Sequence, residues 1–365
     1  MDADTWAVAT PEIVERVGKL VRSAEDAVLI TVLDVERSAY RRPGAKMVVT
    51  GDGTQIGSVT AGCLESRFVE IATSVLETGT PRVETFDLTG EDGEWGLGVG
   101  CNGVITFLFE PLTDAYAPVG AAISADEPFA LVATLDEDEQ IEARGVYSDA
   151  RGLVPLLGEF PPAMVDRVRP QLDDALTDGS TALHELDAGE LFVDGIVPPP
   201  RLLILGHGND VKPVVELGTK SGFVVDIVTF RGASRATERF PGARTVHTLS
   251  PTELTETLAL DPETYVVIMS HNFVDDRLAF ETLLDSPVPY IGLLGPHKRF
   301  EEMVTDGEIQ LTAEDRERIY TPIGVDIGGE SPYGIALSIV AELLAVHNDR
   351  EIKHLADRER AIHDR

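Results

Sequence analysis

The feature that most constrains the fold is a run of three prolines, Pro198, Pro199 and Pro200, near the middle of the 365-residue chain. Three successive prolines cannot continue a helix or a central strand, so they indicate a short, stiff linker. After the linker, four short apolar runs alternate with stretches of helical spacing, at residues 201–205, 223–228, 265–269 and 288–294. Buried strands that alternate with helices are typical of a parallel sheet covered on both faces. We therefore predict a Rossmann-like, doubly wound domain over residues 198–347.

The chain before the linker has a different pattern. Residues 11–24 have the spacing of an amphipathic helix, and two apolar runs flank the turn sequence Gly51-Asp52-Gly53, which predicts a hairpin. This mixed order favours an α+β domain over residues 1–112. Residues 113–197 are expected to form an intermediate α+β segment packed with that domain, with a hairpin of residues 129–135 and 140–147 and a helix over residues 161–176. Residues 348–365 are expected to form a charged helical tail with a Lys353–Asp357 ion pair. The fold class predicted for the whole chain is α/β.

The charge balance excludes several classes of protein. The chain carries 63 acidic and 30 basic residues, for a net charge of −33. Such a surface repels phosphate backbones and anionic lipids, so nucleic-acid and membrane binding are not expected. A hydrophobic content of 43% argues against disorder. The composition is typical of a halophilic protein, in which high salt screens self-repulsion. Two cysteines, no signal peptide and no long apolar stretch indicate a cytoplasmic protein.

Both cysteines lie in glycine-dense turns. Cys63 stands in Gly62-Cys63-Leu64-Glu65 where a helix is expected to begin, and the helix dipole there would favour a thiolate. Cys101 follows Gly100 in a second glycine-rich loop. Each thiol could be a nucleophile or a soft-metal ligand, or simply a small buried apolar side chain. A disulfide between the two is a further alternative, which a reducing cytosol disfavours.

A cluster of cations is a local exception in this acidic chain. Arg41, Arg42 and Lys46 surround Gly44 in the sequence Arg41-Arg42-Pro43-Gly44-Ala45-Lys46. Guanidinium and ammonium groups bind phosphates and carboxylates, so the cluster is a candidate anion site. The alternative is a solvated loop whose cations pair with neighbouring acids.

The second half carries a partial nucleotide-binding motif. Gly206, Gly208 and Asp210 lie in a loop between an apolar strand and a helix, where a Rossmann sheet binds pyrophosphate. The third glycine of the motif is missing, and Asp210 would place a negative charge near the pyrophosphate. Thr229 stands where an acid usually binds the ribose, whereas Arg231 would suit a 2′-phosphate. Nucleotide binding and a purely structural turn therefore both stay open.

Further polar residues are predicted at the same edge of the sheet. His271 follows one apolar run, and Lys298 and Arg299 follow the next, so their loops open where parallel sheets bind ligands. His271 could transfer a proton or bind a phosphate. Asp326 lies in a later loop rich in glycine and proline, where it could contact a ligand or hold the loop. The sequence contains no recognisable metal-binding motif.

Together these segments resemble the XdhC/CoxI family, maturation factors for xanthine and carbon monoxide dehydrogenases. The resemblance spans roughly residues 12–347 and rests on a series of motifs in the family's order: Arg42-Pro43-Gly44-Ala45-Lys46-Met47, Gly57-Ser58-Val59-Thr60-Ala61-Gly62-Cys63-Leu64-Glu65, Gly96-Leu97-Gly98-Val99-Gly100-Cys101-Asn102-Gly103, Gly206-His207-Gly208-Asn209-Asp210, Met269-Ser270-His271, Tyr290-Ile291-Gly292-Leu293-Leu294-Gly295 and Pro322-Ile323-Gly324-Val325-Asp326-Ile327-Gly328-Gly329. This chain departs from the family pattern at Ala61 and Asn102, where glycine is expected, and at Thr229, which replaces a frequent acid.

The resemblance implies a chaperone that binds molybdenum cofactor, assists its sulfuration and delivers it to an apo-molybdoenzyme of the xanthine or carbon monoxide dehydrogenase type. A cysteine desulfurase as sulfur donor and a homodimeric state are also expected. Cys63 or Cys101 would carry sulfur, Cys63 would contact molybdenum, and the remaining cofactor-binding candidates are Arg41, Arg42, Gly44, Lys46, Gly62, Glu65, Gly100, Gly206, Gly208, Asp210, His271, Lys298, Arg299 and Asp326. A chaperone without turnover is the favoured interpretation. The alternatives are an NAD(P)-dependent oxidoreductase that uses the second domain and a scaffold without cofactor.

Overall fold

The computed structural model describes residues 3–89, 103–161, 164–187, 189–230 and 236–357. It divides the chain into two compact units, Met1–Pro198 and Pro199–Arg365, here called unit 1 and unit 2. The division falls within the run of three prolines, and each unit has its own apolar clusters.

Unit 1 contains two antiparallel five-stranded sheets and six helices among its described residues. Its helices are α1 (Ala3–Trp6), α2 (Thr10–Ser23), α3 (Glu65–Thr78), α4 (Ala117–Ala125), α5 (Met164–Arg167) and α6 (Arg169–Asp178). Its strands are β1 (Ala27–Arg37), β2 (Lys46–Thr50), β3 (Gln55–Gly57), β4 (Arg82–Asp87), β5 (Gly103–Pro111), β6 (Phe129–Leu135), β7 (Ile141–Ser148), β8 (Gly152–Leu157), β9 (Thr181–Glu185) and β10 (Glu190–Ile196). The strand orders are β3-β2-β1-β5-β4 in the first sheet and β8-β7-β6-β10-β9 in the second.

Apolar spacing explains how these layers pack. In α2 the side chains Ile13, Val17 and Leu20 recur at helical intervals and are buried. Helix α3 covers the first sheet, with Phe68 packed edge-on against Phe107 and Phe109. The two sheets share an apolar cluster contributed by β1, β5, β6 and β10. Strand β1 is therefore buried over its first seven residues, because both of its faces are covered.

Both hairpins expected in unit 1 are confirmed, whereas one helix differs. Strands β2 and β3 pair around the Gly51-Asp52-Gly53 turn, and β6 pairs with β7. The helix expected over residues 161–176 is interrupted at Val168 and forms α5 and α6 instead. Pro170 accounts for the break, because its nitrogen cannot donate a helical hydrogen bond and its ring suits the first turn of a new helix.

Unit 2 is a parallel six-stranded sheet covered by helices on both faces. Its strands are β11 (Arg201–Leu205), β12 (Val224–Thr229), β13 (Thr245–Thr248), β14 (Thr264–Ile268), β15 (Tyr290–Leu293) and β16 (Ile319–Tyr320). Its helices are α7 (Val211–Lys220), α8 (Ala236–Arg239), α9 (Leu254–Thr257), α10 (Phe273–Leu284), α11 (His297–Asp306), α12 (Ala313–Glu317) and α13 (Pro332–His347). The order β13-β12-β11-β14-β15-β16 confirms the predicted doubly wound fold. Helices α7 and α13 pack on one face, and α10 and α11 on the other.

The helical tail expected after α13 is wrong for the residues that the structure describes there. Residues 350–354 are not helical, and Leu355–Asp357 is a single 3-10 turn. Lys353 pairs with Glu351 rather than with Asp357. A segment this short, with a narrow apolar stripe and no buried face, cannot offset the cost of helix nucleation. Among the described helices, none combines the length and the hydropathy that crossing a membrane requires.

Candidate functional site

Strand pairing brings several of the predicted site residues to one end of the first sheet. Lys46 at the start of β2 lies opposite Thr31, while Gly57 at the end of β3 pairs with Met47. Strand β1 continues past Thr31 to Arg37, which pairs with Gly103 at the start of β5. The loop before β2 and the loop after β3 therefore lie at the same end of the sheet. This end, with residues 38–45 and 58–64, is here called the first-sheet end.

Arg41 and Arg42 occupy the loop before β2. Both are partly buried, and the Nε atom of Arg42 is fully buried without a hydrogen-bond partner. Among the partly buried arginines of the described residues, these two make no ion pair and no side-chain hydrogen bond. A buried donor without a partner costs about 1–3 kcal/mol. The pair is therefore equipped to receive an anion.

Lys46 is engaged inside the unit instead. Its Nζ atom lies 2.7 Å from Oδ2 of Asp194 on β10, and the two side chains are 3% and 1% exposed. The angles of this contact are not those of a hydrogen bond, but Nζ donates one to the Gly44 carbonyl at 2.8 Å. Gly44 has φ +87°, and a Cβ there would lie 2.6 Å from Oγ1 of Thr181. Lys46 and Gly44 thus hold the loop against the second sheet.

The Cys63 loop lies at the first-sheet end, directly before α3. Cys63 is partly exposed and packs on the same apolar cluster as Ala39, from the neighbouring loop. The Glu65 carboxylate is buried and accepts hydrogen bonds from the Thr60 hydroxyl at 2.8 Å and from the Leu64 amide at 3.0 Å. Glu65 therefore shapes the turn that presents Cys63, together with Gly62 at φ +110°. Gly100 and Cys101 lie outside the described residues.

In unit 2, Asp210 and His271 lie across the switch point of the sheet. Strands β11 and β14 are neighbours there, and the loops after them contain these two residues. His271 Nε2 lies 2.6 Å from Oδ2 of Asp210, and the histidine backbone is left-handed with φ +62°. A Cβ at Gly208 would clash with Oδ1 of Asp210, and a Cβ at Gly206 would lie 2.6 Å from the carbonyl oxygen of Met269. Gly208 thus accommodates an internal acid, in the place where pyrophosphate binds in dinucleotide-binding sheets.

The two cations of α11 are also engaged. Arg299 donates to Oδ2 of the buried Asp276 at 2.7 Å and to the Leu294 carbonyl at 3.2 Å. The Ser270 hydroxyl bonds the other oxygen of Asp276, so this acid ties the loop after β14 to α11. Lys298 is 83% exposed and lies 3.4 Å from Glu302. A crevice beside Arg299 has a volume of about 10 Å³, which is space for about one water molecule.

Asp326 is exposed on a loop that side chains of α13 hold in place. The buried Glu342 accepts hydrogen bonds from the Gly324 amide at 2.9 Å and the Tyr290 hydroxyl at 2.6 Å. Ser338 donates to the carbonyl of Val325. These contacts hold the loop in place without the Asp326 side chain.

Sequence reasoning missed the acids that engage the predicted cations. Asp194 and Asp276 lie on elements far along the chain from Lys46 and Arg299, and no local pattern connects them. The available signal was their position among apolar residues in the sequence. Within the described ranges, no three or more histidine, cysteine, aspartate or glutamate side chains form a group that could hold a metal ion.

Comparison with known proteins matches both units. The model of the XdhC and CoxI family matches residues 20–87, and that of the XdhC Rossmann domain matches residues 202–343. A probable xanthine dehydrogenase subunit of Bacillus subtilis is 28% identical over 331 residues, which cover 89% of this chain and 94% of the relative. The molybdenum cofactor insertion chaperone PaoD of Escherichia coli is 23% identical over 336 residues, covering 90% of this chain and 86% of the relative.

A solved structure extends this similarity to the fold. The crystal structure of a xanthine dehydrogenase from Bacillus halodurans superposes with a TM-score of 0.78 and 26% identity, covering 95% of this chain and 98% of that one. The matched regions include the loop of Arg41 and Arg42, the loop of Cys63 and the parallel sheet of unit 2. On these grounds the chain belongs to the XdhC and CoxI family.

Proposed function

We propose that the protein is a maturation chaperone that binds molybdenum cofactor as cargo and delivers it to a molybdoenzyme of the xanthine dehydrogenase type. The names of the Escherichia coli and Bacillus subtilis relatives support this proposal. Within the chain, one observation carries it: Arg41 and Arg42 are partly buried without a partner among the described residues, beside the loop of a partly exposed thiol.

The chemistry of the cargo matches this arrangement. Molybdenum cofactor carries a phosphate, a polar pterin and a soft dithiolene that binds the metal. Planar guanidinium groups bind phosphate oxygens through paired hydrogen bonds, which suits Arg41 and Arg42. A thiol is a soft ligand, which suits Cys63 to contact the metal end of the cargo. Lys46 has no such role in this proposal, because Asp194 neutralises it inside the unit.

The Asp210–His271 pair gives no support to an oxidoreductase. A pyrophosphate at the switch point would meet the Asp210 carboxylate, whose side-chain contact among the described residues is with Nε2 of His271. Nothing in the described part of unit 2 favours dinucleotide binding, so a chaperone without turnover is the function we propose. Assistance in sulfuration, a cysteine desulfurase partner, a homodimeric state and a cytoplasmic location stay predictions.

Cargo retention tests the proposal directly. The protein is incubated with molybdenum cofactor released from a purified molybdoenzyme, separated by gel filtration and assayed for retained pterin by fluorescence. We expect the double variant Arg41→Gln/Arg42→Gln to bind at least about tenfold more weakly, since a hydrogen bond to a charged group contributes about 1.5–3 kcal/mol. Arg16→Gln, on the exposed face of α2, is the matched control and should retain the cargo.

Delivery is tested with the same variants. Wild-type protein loaded with cargo should activate an apo-enzyme of the xanthine dehydrogenase type, and Cys63→Ser should reduce that activation while the unfolding temperature is unchanged. The proposal is wrong if wild-type protein retains no pterin, or if the double arginine variant retains as much as the Arg16→Gln control.

A further inference from the structure

An aromatic pair includes an exposed ring that directly precedes the unpaired arginines in the chain. The rings of Trp6 and Tyr40 are stacked, with centroids 6.2 Å apart and planes inclined by 27°. Tyr40 directly precedes Arg41, and its side chain is 50% exposed. Helix α1, which ends at Trp6, contacts β3, the edge strand that leads into the Cys63 loop. The pair therefore belongs to the first-sheet end.

Packing within unit 1 does not account for this pair. The ring contacts of Phe68, Phe86, Phe107 and Phe109 all lie in or against the core cluster of the first sheet, whereas the Tyr40 ring is half in water. Among the described residues the Tyr40 hydroxyl has no hydrogen-bond partner. A large aromatic surface that is exposed and already oriented by a neighbouring ring is suited to contact a ligand.

The geometry decides where a ligand ring could lie. Stacked carbon atoms approach to about 3.5–4.0 Å, so a ring inserted between Trp6 and Tyr40 would need planes about 7 Å apart or more. The centroids are only 6.2 Å apart, which excludes insertion. The exposed surface of Tyr40 is the remaining platform, with Trp6 supporting the ring from its other side.

We infer that Tyr40, supported by Trp6, forms a stacking platform for the pterin ring of a phosphate-bearing ligand whose anionic part binds to Arg41 and Arg42. The inference rests on the proposed cargo and assigns it a ring-binding surface. The shared chemistry is a flat, polar heteroaromatic ring joined to a phosphate, which a purine nucleotide also has. We commit to a pterin, because the first-sheet end also contains Cys63, whose partly exposed thiol suits the metal end of a pterin cofactor and has no counterpart in a purine nucleotide.

The test uses 6-hydroxymethylpterin monophosphate as the probe and guanosine monophosphate as the competing ligand. Affinities of the full-length protein are measured by titration calorimetry. In a Trp95→Phe background Trp6 is the sole tryptophan, so quenching of its fluorescence reports binding at this surface. Tyr40→Phe keeps the ring, Tyr40→Leu removes it at similar size, and Tyr333→Leu is the control, since Tyr333 is a comparably exposed tyrosine of unit 2.

We expect pterin phosphate to quench Trp6 and to bind more tightly than guanosine monophosphate. Tyr40→Phe and Tyr333→Leu should bind within about twofold of wild type, and Tyr40→Leu roughly tenfold more weakly, as loss of one stacked ring typically does. Equal binding by Tyr40→Phe and Tyr40→Leu overturns the platform while the cargo proposal stands. Tighter binding of guanosine monophosphate overturns the pterin assignment. If the wild-type protein binds neither pterin phosphate nor molybdenum cofactor, both the platform and the proposed function are overturned.

Discussion

Replacing Lys46 with methionine separates its structural role from the ligand-binding role that the sequence suggested. Methionine fills nearly the same volume but removes the ammonium that lies 2.7 Å from Oδ2 of Asp194. Asp194, which is 1% exposed, would keep the hydrogen bond from Thr181 at 3.0 Å and the attraction of the buried Arg144, but it would lose its ion-pair partner. We therefore expect this substitution to destabilise unit 1.

The magnitude follows from the geometry. At an effective dielectric constant of about 20, two unit charges 2.7 Å apart attract by about 6 kcal/mol, and dehydration of both groups offsets much of that. Removing one partner of a buried pair typically costs about 3–5 kcal/mol, because the other charge stays buried. The double variant Lys46→Met/Asp194→Leu removes both charges of the pair and leaves Arg144 paired with Glu110, so its unfolding free energy should be close to wild type or about 1–4 kcal/mol higher.

Urea denaturation followed by tryptophan fluorescence measures the effect in the correct unit. The two tryptophans, Trp6 and Trp95, both precede Pro198 and so report on unit 1. With a urea dependence of about 2 kcal/mol per molar, we expect Lys46→Met to lower the midpoint by roughly 1.5–2.5 M. The double variant should recover that loss.

One result would refute this reasoning. If Lys46→Met unfolds at the wild-type midpoint but no longer retains pterin, then Lys46 binds cargo and the buried pair is not its role. Arg41→Gln is the comparison variant that should affect binding and not stability, because the Arg41 side chain has no described partner to lose. It should change the midpoint little and weaken retention.

Three further predictions concern pH, salt and nucleotides. Burial of Asp226 works to raise its pKa, but hydrogen bonds from Arg244 and Thr245 and the charges of Arg201 and Arg244 outweigh it, so the folded-state pKa is lowered. The contribution of ionised Asp226 to the free energy of unfolding is complete above the unfolded-state pKa of about 3.9 and is lost as pH falls through the folded-state pKa. The destabilisation caused by Asp226→Asn should therefore shrink below about pH 4 in acid denaturation. A difference from wild type that stays constant down to about pH 2 contradicts this prediction. Because the net charge is −33, raising KCl from about 0.1 to 1 M should raise the unfolding temperature measured by calorimetry, since the screening length falls from about 10 to 3 Å. An unfolding temperature that does not change with salt would exclude strong self-repulsion. NAD⁺ and NADP⁺ should give no binding heat with wild-type protein, because Asp210 lies at the pyrophosphate position; measurable binding would revise that interpretation.

Most of the fold could be predicted, and the misses have physical causes. The alternation of apolar runs and helical spacing predicted the doubly wound sheet of unit 2 without reference to any contact. Strands β13 and β16 were missed, because segments of four and two residues are too short for a period to emerge. The break between α5 and α6 was missed although Pro170 signals it, because the apolar spacing continues across it. The tail helix failed because no core face stabilises it.

The site was predictable to a smaller extent. The loop of Arg41 and Arg42 and the turn of Cys63 were identified from glycine and cation density, and strand pairing brings both to the first-sheet end. Their meeting depends on the register of β2 and β3, which the turn between them predicts. By contrast, the sequence did not distinguish the candidate cations from one another, although the structure gives them different partners. Lys46 and Arg299 are paired internally, whereas Arg41 and Arg42 have no described partner.

The sequence by itself determined the alternation of strands and helices in unit 2, the boundary at the three prolines and the family, because hydrophobic period, proline geometry and motif order are all local properties of the chain. Only the tertiary structure decided which charges remain available to a ligand. An ion pair such as Lys46–Asp194 joins two sheets through residues from distant parts of the chain, and its energy depends on a burial that no single segment encodes. The same holds for the Trp6–Tyr40 stack, whose partners come from separate elements and whose exposed ring surface exists only once those elements have packed.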